Sequence, residues 1–308
     1  MTRKGSEFNM KKTIFTGSAV AIVTPMCENG DINFEELGRL IDFNIKNGTD
    51  AIVICGTTGE SSAMTDEEHI ECIRYAVEKV AGRVPVIAGT GSNHTSYAVN
   101  LSKEAEKLGA DALLCVTPYY NKASQAGLVQ HFTAIAEAVS IPIILYNVPS
   151  RTGVNISIDT YKELSKLDNI VAAKEASGNI SHVAKLREAC GDNIDIYSGN
   201  DDQIIPIMSL GGKGVISVLA NVMPKETHDI AALCLEGKYS ESLELAMKTL
   251  SLANMLFCDV NPIPVKEALN IMGFNAGSCR LPLCDTSDKN KAAIRAELEK
   301  FGLAGSIK

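Results

Sequence analysis

Eight short apolar runs, at residues 18–23, 51–55, 84–88, 112–117, 141–147, 170–175, 194–198 and 214–219, recur along this chain, and no other feature limits its fold so tightly. Each is followed by a small or Gly-rich loop. Seven amphipathic stretches rich in Glu and Lys separate them, at 35–47, 66–81, 96–108, 127–139, 159–166, 180–190 and 201–210. This is the strand-then-helix pattern of repeated βα units. Several runs are unbroken instead of alternating, as parallel strands covered on both sides require. Thr65 before the second helical stretch is a good N-cap, and Gly48, Gly82 and Gly109 stand where helices should stop. Eight successive units with no GxGxxG after the first strand favour a closed (β/α)8 barrel, the TIM barrel; an eight-stranded open sheet is the alternative. After Asn221 the strand signal ends, and stretches at 225–236, 240–258, 264–272 and 287–301 read as helices. The expected organisation is therefore a catalytic barrel over 10–223 and a C-terminal helical region over 224–308. Residues 1–9, with Gly-Ser-Glu-Phe ahead of a second methionine, Met10, resemble an expression-tag remnant and are set aside.

A chain of 308 residues with 45% hydrophobic content can bury a large core. With 29 Lys+Arg against 37 Asp+Glu, the balance of −8 offers no basic field for a nucleic-acid backbone or an anionic membrane, so a small-molecule partner is expected. Apolar runs such as 141–145 fall far short of the ~20 residues a membrane helix needs. The nine cysteines are dispersed without a CxxC, and Cys279 and Cys284 are the only close pair. The five histidines show neither HxH nor HExxH. No zinc site is expected, and the expected compartment is a reducing cytoplasm.

In a barrel the reactive groups lie at the carboxyl ends of the strands. There, Lys174 ends an otherwise apolar stretch, Ile170-Val171-Ala172-Ala173. Burial disfavours the charged form of a lysine and so favours the neutral amine that attacks carbonyls. The bland alternative, an end-of-strand lysine paired with Glu175, is weakened because alternation puts the two on opposite faces. Tyr146 is expected at matching height on the neighbouring strand, as a phenolic proton carrier or as a rim tyrosine. Gly56-Thr57-Thr58-Gly59 could cradle a carboxylate or phosphate, or be an ordinary turn. Arg151 could hold a carboxylate in a bidentate pair, or be a solvated loop residue. Together these groups describe an enzyme that joins a 2-oxo acid to a second acidic substrate without metal.

The segments GTTGES (56–61), VTPYYNK (116–122), YNVPSRTG (146–153), AAKEASG (172–178), YSGND (197–201) and RLPL (280–283) stand in the order found in one family. The chain resembles the dihydrodipicolinate synthases, within the pyruvate-dependent class I aldolases, over residues 15–283. The resemblance implies condensation of pyruvate with L-aspartate 4-semialdehyde, the first committed step toward diaminopimelate and lysine. It implies a Schiff base on Lys174 in place of any cofactor, proton transfer through Tyr146, and a relay from Thr57 to Tyr120, supplied by a neighbouring subunit. Thr57 and Thr58 would hold the pyruvate carboxylate, Arg151 would bind the aldehyde's carboxylate, and Gly199 and Ile216 would line the pocket. A homo-oligomer follows, in the family usually a tetramer built from tight dimers. Sister aldolases, such as N-acetylneuraminate lyase or keto-deoxy sugar-acid aldolases, share the lysine and tyrosine. Arg151 and the paired threonines favour the synthase. A catalytically silent 2-oxo-acid sensor is disfavoured because every catalytic position is present.

The same resemblance places a lysine-inhibition pocket at Ser61, Ser62, His69, Asn93 and Tyr119. Inhibited members usually carry an acid where this chain has Tyr97 and a histidine where it has Asp66. Inhibition by lysine is therefore expected to be weak or absent, and a sub-millimolar inhibition constant at near-saturating substrates is the contrary result.

Overall fold

A computed structural model describes residues 11–307; the expected tag remnant at 1–9 lies outside the described residues. Strands β1 (Gly17–Ala21), β2 (Ala51–Ile54), β3 (Val86–Gly89), β4 (Ala112–Val116), β5 (Ile143–Asn147), β6 (Ile170–Glu175), β7 (Asp195–Ser198) and β8 (Gly214–Ser217) pair in sequence order. All neighbours run parallel and β8 closes on β1, so the sheet is a barrel and not an open array. Two strands start two residues later than the apolar runs suggest. Val86 and Ile143 each follow a proline, Pro85 and Pro142, which has no N–H to give the ladder.

Helices α1 (Phe34–Lys46), α2 (Asp66–Val80), α3 (Thr95–Lys107) and α4 (Gln125–Ala136) follow the first four strands. A short rim helix, α5 (Pro149–Thr152), precedes α6 (Ile158–Leu164), then α7 (Ile180–Cys190), α8 (Ile204–Ser209) and α9 (Pro224–Leu235). Their starts are written locally. The Thr65 side chain accepts from Glu68 N while Glu68 accepts from Thr65 N, a capping box that satisfies two otherwise unpaired amides. The helix expected over 201–210 is shorter: Asp201–Gln203 is a 3-10 turn, because the Asp201 carboxylate accepts from Val218 N and Leu219 N across the barrel rim. Pro206 is tolerated because it falls in the first turn of α8.

One expected boundary shifts. Helix α9, assigned from sequence to the C-terminal region, packs on β1, and its Ile230, Ala231 and Cys234 share a core with Ile204, Met208 and Val215. It is the eighth helix of the ring, so the added helical region begins at α10 (Tyr239–Met255) and continues through α11 (Ile263–Met272) and α12 (Asp288–Lys300). No helix among the described residues is long and apolar enough to cross a membrane, and the nine cysteines are free thiols.

Strand alternation sorts the core into two layers. Val20, Ile52, Ile54, Leu113, Ile143, Leu145, Ala173 and Ile196 pack outward against the helices. Ala19, Ala21, Ala51, Val53, Ala112, Leu114, Ile144, Tyr146, Ala172 and Ile216 fill the barrel. Many inner positions are alanine, which leaves room at the carboxyl end. At the other end, Phe15 stacks on Tyr197 with ring centroids 4.3 Å apart, and the Tyr197 hydroxyl donates to Phe15 O at 2.7 Å. The interior is plugged below and open above.

Candidate active site

Lys174 enters the barrel interior through an irregularity in the sheet. Ile143 pairs with Ile170, but Ile144 pairs with Ala172, so β6 carries one extra residue and Val171 and Ala172 both face inward. Beyond this bulge Tyr146 pairs with Lys174. A bulge of this kind re-aims every residue that follows it. Lys174 is only 6% exposed, and its Nζ sits 4.3 Å from the centroid of the Tyr146 ring. Gly199, after β7, leaves space for the lysine stem. A Cβ there would lie 2.6 Å from Ala176 Cβ and 3.2 Å from Lys174 Cε.

Above this pair is a cavity of about 250 Å³ lined by Thr57, Thr58, Tyr146, Arg151, Lys174 and Gly199, together with Asn200, Val218, Phe257 and Asn261. Thr57 and Thr58 lie just past β2, where the chain turns sharply: Cys55 and Glu60 both adopt left-handed φ values, 55° and 56°. Within this loop Gly59 N donates to Gly56 O and Glu60 N to Thr57 O, both at 3.1 Å. Glu60 is anchored in turn by Lys266 of α11, whose Nζ donates to Glu60 Oε1 at 2.8 Å. Arg151 rides on α5 at the rim, and its Nη2 donates to Asn261 O at 3.2 Å.

Six of the expected site residues thus converge. Ile216 does not reach the cavity; it is fully buried in the barrel interior, and Val218, two residues on, lines the cavity instead. Tyr120 also stands apart, 89% exposed with a left-handed φ of 73°. Asn261 and Phe257 were missed from sequence. Their only signal was the Pro-punctuated break Asn261-Pro262-Ile263-Pro264 between two helical stretches.

A model of the Dihydrodipicolinate synthetase family matches residues 14–301. The chain belongs to this family. It is 60% identical over 291 residues to a 4-hydroxy-tetrahydrodipicolinate synthase of Lachnoclostridium phytofermentans, covering 94% of this chain and 99% of the relative. It is 59% identical over 290 residues to one from Caldicellulosiruptor saccharolyticus, covering 94% of this chain and 98% of the relative. The crystal structure of dihydrodipicolinate synthase from Aquifex aeolicus superposes with a TM-score of 0.92 at 46% identity, covering 94% of this chain and 99% of that one.

A second cavity of about 270 Å³ shares Thr57, Tyr146 and Arg151 with the first and extends past Ser61, Ser62, His69, Tyr97 and Tyr119. His69 Nε2 lies 2.8 Å from Gly89 O, and burial holds its pKa below the ordinary histidine value. Tyr97 and Asp66 are partnered with each other: the Tyr97 hydroxyl donates to Asp66 Oδ1 at 2.8 Å. Burial and that carboxylate push the Tyr97 phenol up to about 12. Asn93 does not line this cavity; its carbonyl accepts from Asn121 Nδ2 at 2.9 Å. Among the described residues no three His, Cys, Asp or Glu side chains gather as a metal centre needs.

Glu175 faces away from the lysine, as alternation requires. Asn147 Nδ2 donates to its Oε1 at 2.6 Å in the layer between strands and helices. Burial raises the Glu175 pKa to about 7, while hydrogen bonds from Asn147 and Ser177 pull the other way. Because the folded value lies above the unfolded one of about 4.3, the native state binds the proton more tightly, and stability falls as pH rises from about 4.3 to 7. Glu175→Gln is expected to flatten that slope, a relative gain on the order of 3 kcal/mol at pH 8 over pH 4. Urea unfolding of both proteins at several pH values checks this; parallel curves would show that Glu175 is not the group responsible.

Proposed function

We propose that this chain is a 4-hydroxy-tetrahydrodipicolinate synthase that condenses pyruvate with L-aspartate 4-semialdehyde through an imine on Lys174. The observation that carries the reading is a buried lysine aimed into a barrel-mouth cavity beside a tyrosine, below a threonine pair and an arginine. The Lys174 amine adds to the ketone carbon of pyruvate, and loss of water gives the iminium. The adjacent methyl group then loses a proton to give an enamine, with Tyr146 moving the protons. The enamine carbon attacks the aldehyde, forming the new C–C bond and a hydroxyl. The substrate's amine next displaces the lysine from the imine carbon, closing the ring and freeing Lys174. The net reaction releases one water.

The backbone amides of Thr57 and Thr58 hold the pyruvate carboxylate, and Arg151 holds that of the aldehyde. Thr57 relays protons to Tyr120 of a neighbouring copy, for which the exposure of Tyr120 leaves room. This makes the working form a homo-oligomer, a tetramer of tight dimers; one solved relative at 41% identity is described as the first monomeric variant of the synthase. Biosynthesis from pyruvate suits the cytoplasm. The reaction uses the chain's own amine and no cofactor.

Borohydride reduction in the presence of pyruvate, followed by peptide mapping, tests the central claim. The expected result is one adduct, on Lys174. A coupled assay with aspartate semialdehyde and with N-acetylneuraminate then separates the synthase from its sisters. Arg151→Ala is expected to leave pyruvate trapping intact while raising the KM for the aldehyde roughly ten- to a hundred-fold, the worth of a charged hydrogen-bond pair. Loss of the trapped adduct in that variant would show that Arg151 serves pyruvate instead.

A further inference from the structure

The segment between α10 and α11 places one polar side chain among the substrate-holding groups. Asn261 is 95% buried, being 5% exposed, and it makes two contacts with different partners. Its side-chain Nδ2 donates to Thr58 Oγ1 at 3.0 Å. Its backbone carbonyl accepts from Arg151 Nη2 at 3.2 Å. Its remaining oxygen, Oδ1, is buried without a partner among the described residues. A buried acceptor without a donor is costly, and an apolar side chain of similar size would avoid that cost. The amide holds Thr58, after β2, while the backbone carbonyl of the same residue holds Arg151, after β5, so Asn261 links two groups that line the cavity.

We propose that Asn261 is a positioning residue that couples the two substrate subsites: through it, the Thr58 hydroxyl fixes the carbonyl on which the Arg151 guanidinium rests. The proposal rests on the condensation reading above and deepens it. Its distinctive consequence is a crossed effect. Thr58 serves pyruvate, yet removing its hydroxyl disturbs the aldehyde's arginine, because the Asn261 side chain loses its anchor and the carbonyl under Arg151 is no longer held. Thr58→Val keeps the backbone amide and removes only the hydroxyl.

Steady-state kinetics on Thr58→Val, Asn261→Ala and the double variant, with borohydride trapping at saturating pyruvate, test the coupling. Each single substitution is expected to raise the aldehyde KM about three- to tenfold, the worth of one neutral hydrogen bond, and to raise it more than the pyruvate KM, with pyruvate still trapped at saturation. The double variant is expected to match the larger single effect, because both changes break the same link. Loosened folding would instead lower the trapped fraction and kcat. An aldehyde KM unchanged in Thr58→Val, or effects that multiply in the double variant, overturns the coupling. Should Asn261→Ala fail to fold, Thr58→Val alone decides. Wild-type protein run alongside separates the two failures: no pyruvate adduct there sinks the functional reading and the coupling with it, whereas a normal adduct with no crossed effect sinks the coupling alone.

Discussion

Lys174→Ala is expected to yield a folded protein that takes up no reducible pyruvate adduct and loses on the order of 10⁴-fold or more in kcat, the scale on which nucleophile removal acts. Two lysines are buried in the described chain, and their surroundings differ. Lys266 Nζ sits 2.8 Å from Glu60 Oε1 and also donates to Ser278 O at 2.8 Å, so its charge is matched. Lys174 Nζ meets the face of a tyrosine ring at 4.3 Å, at the edge of a cavity. Only the second arrangement leaves an amine at a cavity without a carboxylate paired to it among the described residues. Mass spectrometry after borohydride reduction checks the expectation on the variant and the parent protein together. A label that persists in Lys174→Ala would place the imine elsewhere and remove the basis of the proposed chemistry. Lys174→Arg adds a control, since it fills much of the same space but supplies no amine able to form the imine.

The second large effect concerns stability. Lys266 and Glu60 are 1% and 3% exposed, and their ion pair ties α11 to the end of the loop that carries Thr57 and Thr58. Arg280 N donates to the other carboxylate oxygen, Glu60 Oε2, at 2.9 Å. Removing one partner of such a pair leaves an uncompensated buried charge, which costs about 3–5 kcal/mol. Lys266→Met is expected to lower the unfolding free energy by that amount, and adding Glu60→Gln is expected to restore most of it, because the stranded charge is then gone. Equilibrium denaturation of the single and double variants measures both. A single variant within 1 kcal/mol of the parent would show that water reaches the carboxylate once the lysine is removed.

Much of the barrel could be read from the chain because its parallel strands are buried on both sides and appear as apolar runs of the right length. Lys174, Tyr146, Thr57, Thr58 and Arg151 were legible because strand ends are where polar residues are out of place in such runs. Three things were not legible, each for a physical reason. The eighth ring helix, α9, has the same amphipathic pattern as the helices added after it, and only its packing on β1 tells them apart. Asn261 lies far from the barrel strands in sequence and is brought to the cavity by the packing of α10 and α11. The bulge at Val171 leaves no local mark, since valine followed by alanine suits a regular strand equally well.

That bulge sets which of two neighbouring chemistries the cavity receives. Inward and outward positions on a strand differ by a single step, so a β6 of the same sequence that ran regularly through Val171 would be rotated by half a repeat from there on. The amine would then turn toward the helices, Ala173 would pair with Tyr146, and the carboxylate of Glu175 would face the barrel mouth. A nucleophilic chamber would become an acidic one with the composition of its wall nearly unchanged. In this barrel one irregular pairing, more than the composition of the wall around it, decides which side chain of this sequence meets the cavity.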